Sequence, residues 1–537
     1  MNLLTYFYLA LTLFLLFLGE NGLTHEIITR VSTNAYNTDA NGHSLAPSLS
    51  ADGRYIAFHS EANNLVANDN NGFSDIFVYD RYTQQTSRVS VNSNGEEANF
   101  VSAFPAISAD GRYVTFHSDA TNLVAQDENR TTDIFLHDRD TGTTTLVSVN
   151  NDGQQGNLAS STPAISADGR YIAFYSAATN LVADDTNESL DIFVYDRQTQ
   201  QTSRVSVDSQ GKQSDGASFG AAISADGRFV AFTSTAANLV KNDNNDSSDL
   251  FVYDRDTGKI ECVSINSKGR FGNASSYDPT LSADGRLVAF ASKATNLVTG
   301  DTNRVDDVFV YDRDTAQITR VSVDSNGQQA NALSFAPTLS GDGRYVTFNS
   351  NASNLVANDD NDSTDVFIYN RQTGQTHRLT LLSQSFQDNS TTFYPPAISS
   401  DGRLVAFESA AWNLVADDTN DSTDIFLYDR AYPAQFTVAT GELHLPALMV
   451  TGLGLFRATL QLLPTNDTTA LQFAIHKVSS LPVPLTDVTA TYDPATGNVQ
   501  LPFVEVINPP QLLQQFAVNL FLDTATNLLT VTQLSEK

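Results

Sequence analysis

Short runs of large apolar residues bracketed by acids recur along this chain. In Asp75-Ile76-Phe77-Val78-Tyr79-Asp80 four consecutive apolar positions show no alternation, which predicts a strand buried on both faces. Upstream, Ala46 to Ser50 and Arg54 to Ser60 flank Ala51-Asp52-Gly53 and predict a tight hairpin. Gly53 supplies the positive φ of the turn, and Asp52 bonds backbone amides across it. A loop, Glu61 to Ser74, leads into the buried strand, and a polar turn, Arg81 to Gln85, leaves it. Thr86 to Val91 then alternates, with Ser87, Val89 and Val91 on one side and Arg88 and Ser90 on the other. This predicts a fourth strand whose outer edge is kept polar.

The same four-strand pattern returns seven times. Asp-Gly-Arg begins at Asp52, Asp110, Asp168, Asp226, Asp284, Asp342 and Asp401, a spacing of 58 residues five times and then 59. Four antiparallel strands in seven tandem units predict an all-β, seven-bladed β-propeller. Small residues on the first strand of each unit (Ser48, Ala106, Ala164, Ala222, Thr280, Thr338 and Ala397) suit crowding at its axis. The seventh unit stops after its third strand, Asp424 to Asp429, while Ile28-Thr29-Arg30-Val31-Ser32 matches a fourth strand and precedes the first unit. The N-terminal strand is therefore expected to complete the seventh blade and close the ring, which removes exposed edges.

The recurring Ser-x-Asp-Gly-Arg-Tyr-Ile-Ala-Phe, followed by Asp-Ile-Phe-Val-Tyr-Asp, resembles the WD-like repeat of TolB-type β-propellers across residues 26–432. The resemblance implies a periplasmic or extracellular binding propeller. The units exceed the usual length of about forty residues, and no TolB-like N-terminal domain is visible, so TolB's own role in the cell envelope is not carried over.

Three segments are expected: a leader or N-terminal anchor at 1–24, the propeller at 25–432, and a small all-β, sandwich-like module at 433–537. The leader reading rests on the apolar stretch Leu3 to Leu18, which is short for a membrane span of about 20 residues. An uncleaved anchor is the alternative and the one membrane attachment expected. The C-terminal module carries its own duplication, Thr440-Gly441-Glu442-Leu443-His444-Leu445-Pro446 recurring as Thr496-Gly497-Asn498-Val499-Gln500-Leu501-Pro502. A net charge of −31, with 30 basic residues scattered rather than clustered, argues against nucleic acid. With one cysteine, Cys262, no intrachain disulfide forms. A monomeric protein exported to the periplasm, cell surface or medium is expected.

Between the second and third strands every unit carries Asp-x-Asn-x-x-x-Asp. The triplets are Asp69, Asn71, Asp75; Asp127, Asn129, Asp133; Asp185, Asn187, Asp191; and Asp243, Asn245, Asp249. The remaining three are Asp301, Asn303, Asp307; Asp359, Asn361, Asp365; and Asp418, Asn420, Asp424. Alternating oxygen ligands followed by a carboxylate are what Ca²⁺ requires. The plainer reading is Asx-type turns that hold a long loop against its blade.

Two positions vary while their neighbours hardly change. After the second-strand Phe stand His59, His117, Tyr175, Thr233, Ala291, Asn349 and Glu408. Of these, Glu408, His59, His117 and Tyr175 fall on four consecutive blades and are the candidates for a metal site or an acid–base pair. Before the first strand, Phe219, Tyr277, Phe335 and Tyr394 are candidates for an aromatic rim that stacks a sugar or peptide, with Asp278 beside them. Packing between blades is the competing reading of both positions. The long loops are expected on one face, which makes that face the candidate surface for a protein, peptide or glycan. The leading functional expectation is a non-enzymatic scaffold. The alternative is a hydrolase or lyase acting on polysaccharide at the axis.

Overall fold

The computed structural model describes residues 27–430 except 37, 126, 362, 384–385, 388–393 and 416–417, together with the backbone of strands between 434 and 536. The expected leader at 1–24 lies outside these residues. The chain divides into two compact units. One is Ile28–Asp429, and the other contains Arg430–Lys537.

The first unit is a seven-bladed β-propeller. Its first blade is an antiparallel sheet of Ser44–Leu49, Tyr55–Ser60, Asp75–Asp80 and Gln85–Arg88, in that order from axis to rim. Five further blades repeat it. The seventh combines Ala397–Ile398, Leu404–Ser409 and Asp424–Asp429 with the N-terminal strand Ile27–Arg30. Past that strand, Val31 donates its N–H to the Ile425 carbonyl at 2.7 Å. The Ser32 hydroxyl donates to the Asp424 carboxylate and accepts the Ile425 N–H at 3.0 Å. Closure by the N-terminal strand is thus made by ladder bonds and a buried carboxylate together.

The apolar run of the third strand is buried because each of its faces meets a different neighbour. Ile76 and Val78 pack with Val114, Phe116 and Phe135 of the second blade, whereas Phe77 packs with Leu404, Ala406 and Ile425 of the seventh. Full burial of one such side chain contributes about 1.5–3 kcal/mol, and the pattern recurs at every seam. The bracketing acids anchor the two ends of the strand. Asp80 forms a two-pronged pair with Arg54 of the Asp-Gly-Arg turn, at 3.0 and 2.8 Å. Ser50 and the Arg54 N–H both donate to Asp52, which fixes the turn itself. The sixth blade has Asn370 in place of the pairing aspartate, and Arg344 Nε is buried there without a hydrogen-bond partner.

A second closure was not expected from the sequence. At the short-turn face the hairpin tips bond to one another around the axis, Ala51→Ala109→Ala167→Ala225→Ala283→Gly341 in N–H to carbonyl order. Asp342→Ser400 and Ser400→Ala51 complete the collar, all at 2.9–3.1 Å.

Two local expectations are corrected. The fourth strand ends at Arg88 rather than Val91. Its arginine is not at a solvated edge either, since the side chain is only 10% exposed and reaches into the acidic loop. The first strand is not regular. Its pairing with the second shifts between Leu45 and Ser48, with Ala46 at a φ of 51°, so it carries a bulge.

The C-terminal unit is one eight-stranded sheet whose order begins at Ala434–Thr437 and ends at Ala490–Asp493, with Leu528–Glu536 in its middle. Its duplication is visible in the backbone. Register shifts fall between Leu445 and Leu448 and again between Leu501 and Val504. Pro446 and Pro502 stand inside those shifts, where a missing N–H is tolerated. The short strands exchange between halves, Ala434–Thr437 pairing in parallel with Val504–Ile507, and Ala490–Tyr492 with Leu448–Val450.

Candidate functional site

The acidic triplets organise the loops through bonds of their own. In the first blade Asn71 Nδ2 donates to Asp75 at 2.8 Å and to the Ala98 carbonyl at 2.9 Å, while its Oδ1 accepts the Phe73 N–H. Asp75 also accepts the Ser90 hydroxyl at 2.5 Å. The Arg88 guanidinium lies 3.2 Å from Asp69, 3.4 Å from Asp75 and 2.8 Å from Glu97, so a fixed cation of the protein occupies the middle of the carboxylates. Arg204, Arg320, Arg378 and Arg30 stand likewise in the third, fifth, sixth and seventh blades. The second blade uses Gln155, which donates to both Asp127 and Asp133 at 2.8 Å. In the fourth, Cys262 takes the arginine's place, and burial pushes its thiol up. Burial also pushes the carboxyls of Asp69, Asp133, Asp249, Asp307, Asp359 and Asp424 up to about 6. Among the described residues no group of three or more His, Cys, Asp or Glu is arranged to hold a metal ion.

The two variable positions turn out to be cross-strand partners. Leu45 pairs with His59, Ala103 with His117 and Ser161 with Tyr175. Phe219 pairs with Thr233, Tyr277 with Ala291 and Phe335 with Asn349. In the first three blades the bulky member is on the second strand, and in the next three it is on the first. One large side chain per blade therefore fills the same inter-blade space. Hydrogen bonds add to this filling. His117 Nδ1 meets the Ser161 hydroxyl of the next blade at 2.7 Å, and Asn349 donates to the Tyr394 carbonyl at 3.0 Å. Glu408 accepts the Ala46 and Tyr394 N–H groups, each at 3.1 Å, and so fastens the seventh blade to the first. Burial holds His59 and His117 neutral by pulling both down to about 4. Tyr277 is driven up by burial and by the Asp306 carboxylate that its hydroxyl meets.

The bulge brings in residues that the sequence reading passed over. In six blades it places Ala46, Phe104, Thr162, Gly220, Asp278 and Ala336 at positive φ, near the end of the axis that carries the long loops. Phe104 gathers an aromatic cluster, with ring centroids 5.6 Å from His59, 5.1 Å from His117 and 5.4 Å from Tyr394. Asp278 alone had been singled out at this position. The signal for the rest was present in a column that runs from glycine to phenylalanine, but without the bulge nothing set that column apart from the regular strand. Asp278 exposes surface to water, yet the protein around it raises its carboxyl by desolvation.

The long loops form the opposite face from the hairpin collar. On them the Phe100 ring lies tilted against Phe73 with centroids 4.5 Å apart, beside an open groove of about 450 Å³ lined also by Asp119 and Arg130.

No family model and no curated protein matches the chain. Among solved structures it is similar to an oligogalacturonate lyase in complex with manganese, with 14% identity, a TM-score of 0.48 and coverage of 77% of this chain and 96% of that one. It is also similar to TolB from Acinetobacter baumannii, with 14% identity, a TM-score of 0.34 and coverage of 75% and 79%. A third is the β-propeller domain of the Trilobed protease from Pyrococcus furiosus, with 10% identity, a TM-score of 0.43 and coverage of 72% and 95%. The seven sheets of the present chain carry its fold assignment by themselves.

Proposed function

We propose that this chain is an exported binding propeller that takes a protein, peptide or glycan on its loop-bearing face, without catalysing a reaction. One observation carries the reading. The polar side chains suited to catalysis serve as fasteners between blades: Glu408 is held by two backbone N–H groups and His117 by Ser161. The groove beside Phe100 and Arg130 offers a stacking surface and charge on the exposed face. The Ser161–His117 contact is what favours the alternative, an enzyme acting on polysaccharide. An imidazole pulled down to about 4 is a weak general base at neutral pH, which favours the scaffold.

The test is binding of the full chain to peptide and glycan arrays, alongside turnover assays on the same glycans. Retention that is lost in Phe100→Ala/Arg130→Ala and kept in His117→Ala supports the proposal. Glycan cleavage abolished by Ser161→Ala would establish the enzyme instead.

A further inference from the structure

Around the axial mouth on the loop-bearing face, three buried side-chain atoms find no partner among the described residues. His59 is 7% exposed, Thr233 1% and Asn349 0%, yet His59 Nδ1, Thr233 Oγ1 and Asn349 Oδ1 are buried without hydrogen-bond partners. All three belong to the second-strand column in which His117, Glu408 and the amide nitrogen of Asn349 bridge blades. Leaving such an atom unpaired costs about 1–3 kcal/mol, so three at one mouth call for an occupant.

The charges at the mouth define that occupant. Neither variable column, nor the bulge column, nor the small-residue column of the first strand contains a Lys or Arg. His59 and His117 are neutral. Glu408 is committed to two backbone donors. Among the described residues the Asp278 carboxylate has neither a hydrogen-bond donor nor a cation facing it, although its counterparts in the acidic loops are almost all supplied with one. In blade order Asp278 stands on the fifth blade, across the ring from Phe104 on the second, where Phe104 clusters with His59, His117 and Tyr394 in tilted and edge-on contacts. A lone carboxylate opposite an aromatic cluster is complementary to an organic cation, which rings attract through their faces. A net charge of −31 draws cations toward the mouth and repels polyanions such as uronates.

We propose that the axial mouth binds an alkylammonium group, with Asp278 as its counter-charge and Phe104 and Tyr394 as its aromatic wall. This deepens the binding-propeller reading and rests on it. The group has two sources, a free amine or a lysine side chain of a bound protein or peptide.

The experiment titrates the full chain by calorimetry with n-butylammonium, with acetyl-Gly-Lys-Gly-amide, with its norleucine analogue and with trigalacturonate. Butylammonium and the lysine peptide are expected to bind, and the norleucine peptide and trigalacturonate are not. Asp278→Asn is expected to weaken both cations at least tenfold, and Phe104→Ala about fivefold. Asn adopts the positive φ of 54° at 278 as readily as Asp does, so the variant keeps its fold, which its melting curve checks. Tighter binding of the lysine peptide than of butylammonium assigns the source to a polypeptide, and equal binding assigns it to a free amine. The inference is overturned if neither cation binds, if Asp278→Asn binds them undiminished, or if trigalacturonate binds. In those cases an array ligand still dependent on Phe100 and Arg130 would leave the broader reading standing.

Discussion

Removing residues 28–33 tests how the ring is held. Val31 is 1% exposed and packs among Phe58, Ile425 and Leu427, so its loss forfeits about 1.5–3 kcal/mol of apolar burial. Two bonds to Ile425, from the Val31 N–H and to the Ser32 hydroxyl, go with it, at about 0.5–1.5 kcal/mol each. Asp424, 0% exposed, loses the Ser32 donor and the nearby Arg30, which adds about 1–3 kcal/mol. The sum, roughly 4–9 kcal/mol before the ladder bonds of the strand itself, rivals the 5–15 kcal/mol that holds a typical domain folded. Urea unfolding of the full chain and the deletion, followed by circular dichroism, should show the cooperative transition lost or its slope greatly reduced. A synthetic peptide of residues 26–36 added in trans should restore it in proportion to concentration. An unchanged midpoint and slope in the deletion would refute closure by this strand.

Acidification offers a second test. Six loop aspartates sit at about 6 rather than the ordinary carboxylate value of about 3.9. Between those values the folded state holds more protons than the unfolded one, so this contribution is full at low pH and is lost as pH rises through about 6. The melting temperature should therefore rise from pH 7 to pH 5. It should fall below about pH 4, where the arginine-paired Asp80, Asp138, Asp196 and Asp312, all lowered, become protonated. Bound Ca²⁺ would need ionised loop carboxylates, so it would reverse the first trend and make it sensitive to a chelator; melting with and without EGTA at both pH values decides this. Asn370→Asp should restore in the sixth blade the pair that Arg54 makes with Asp80, raising stability by about 0.5–1 kcal/mol in denaturant titrations. No gain would mean that Arg344 is satisfied by water. Gly169→Ala should cost at least 2 kcal/mol more than Gly153→Ala, because both have positive φ but only the first places a Cβ 2.2 Å from the Tyr113 ring. Equal costs in urea titrations would show that the ring moves aside freely.

The sequence by itself determined the number of blades, the four strands in each and the offset of one strand that closes the ring. These follow from local pattern: a doubly buried run such as Ile76 to Tyr79 has few other uses, and seven copies of it must stack. It also located the acidic loops, because they repeat with the blades. The arginine that fills them is nineteen or more residues away in the chain from the first acid of its loop, Asp69 to Arg88 for example, and alternation assigned that arginine to the solvent. Only the tertiary structure placed it between the carboxylates. Likewise, two variable columns that read as separate candidate sites are opposite members of one cross-strand pair, a relation set by register rather than by sequence spacing. The bulge at Ala46 and its equivalents is also a matter of register: the pairing of the first two strands shifts there in six blades, and a positive φ follows at Phe104 and Asp278, which the ring sets on its second and fifth blades.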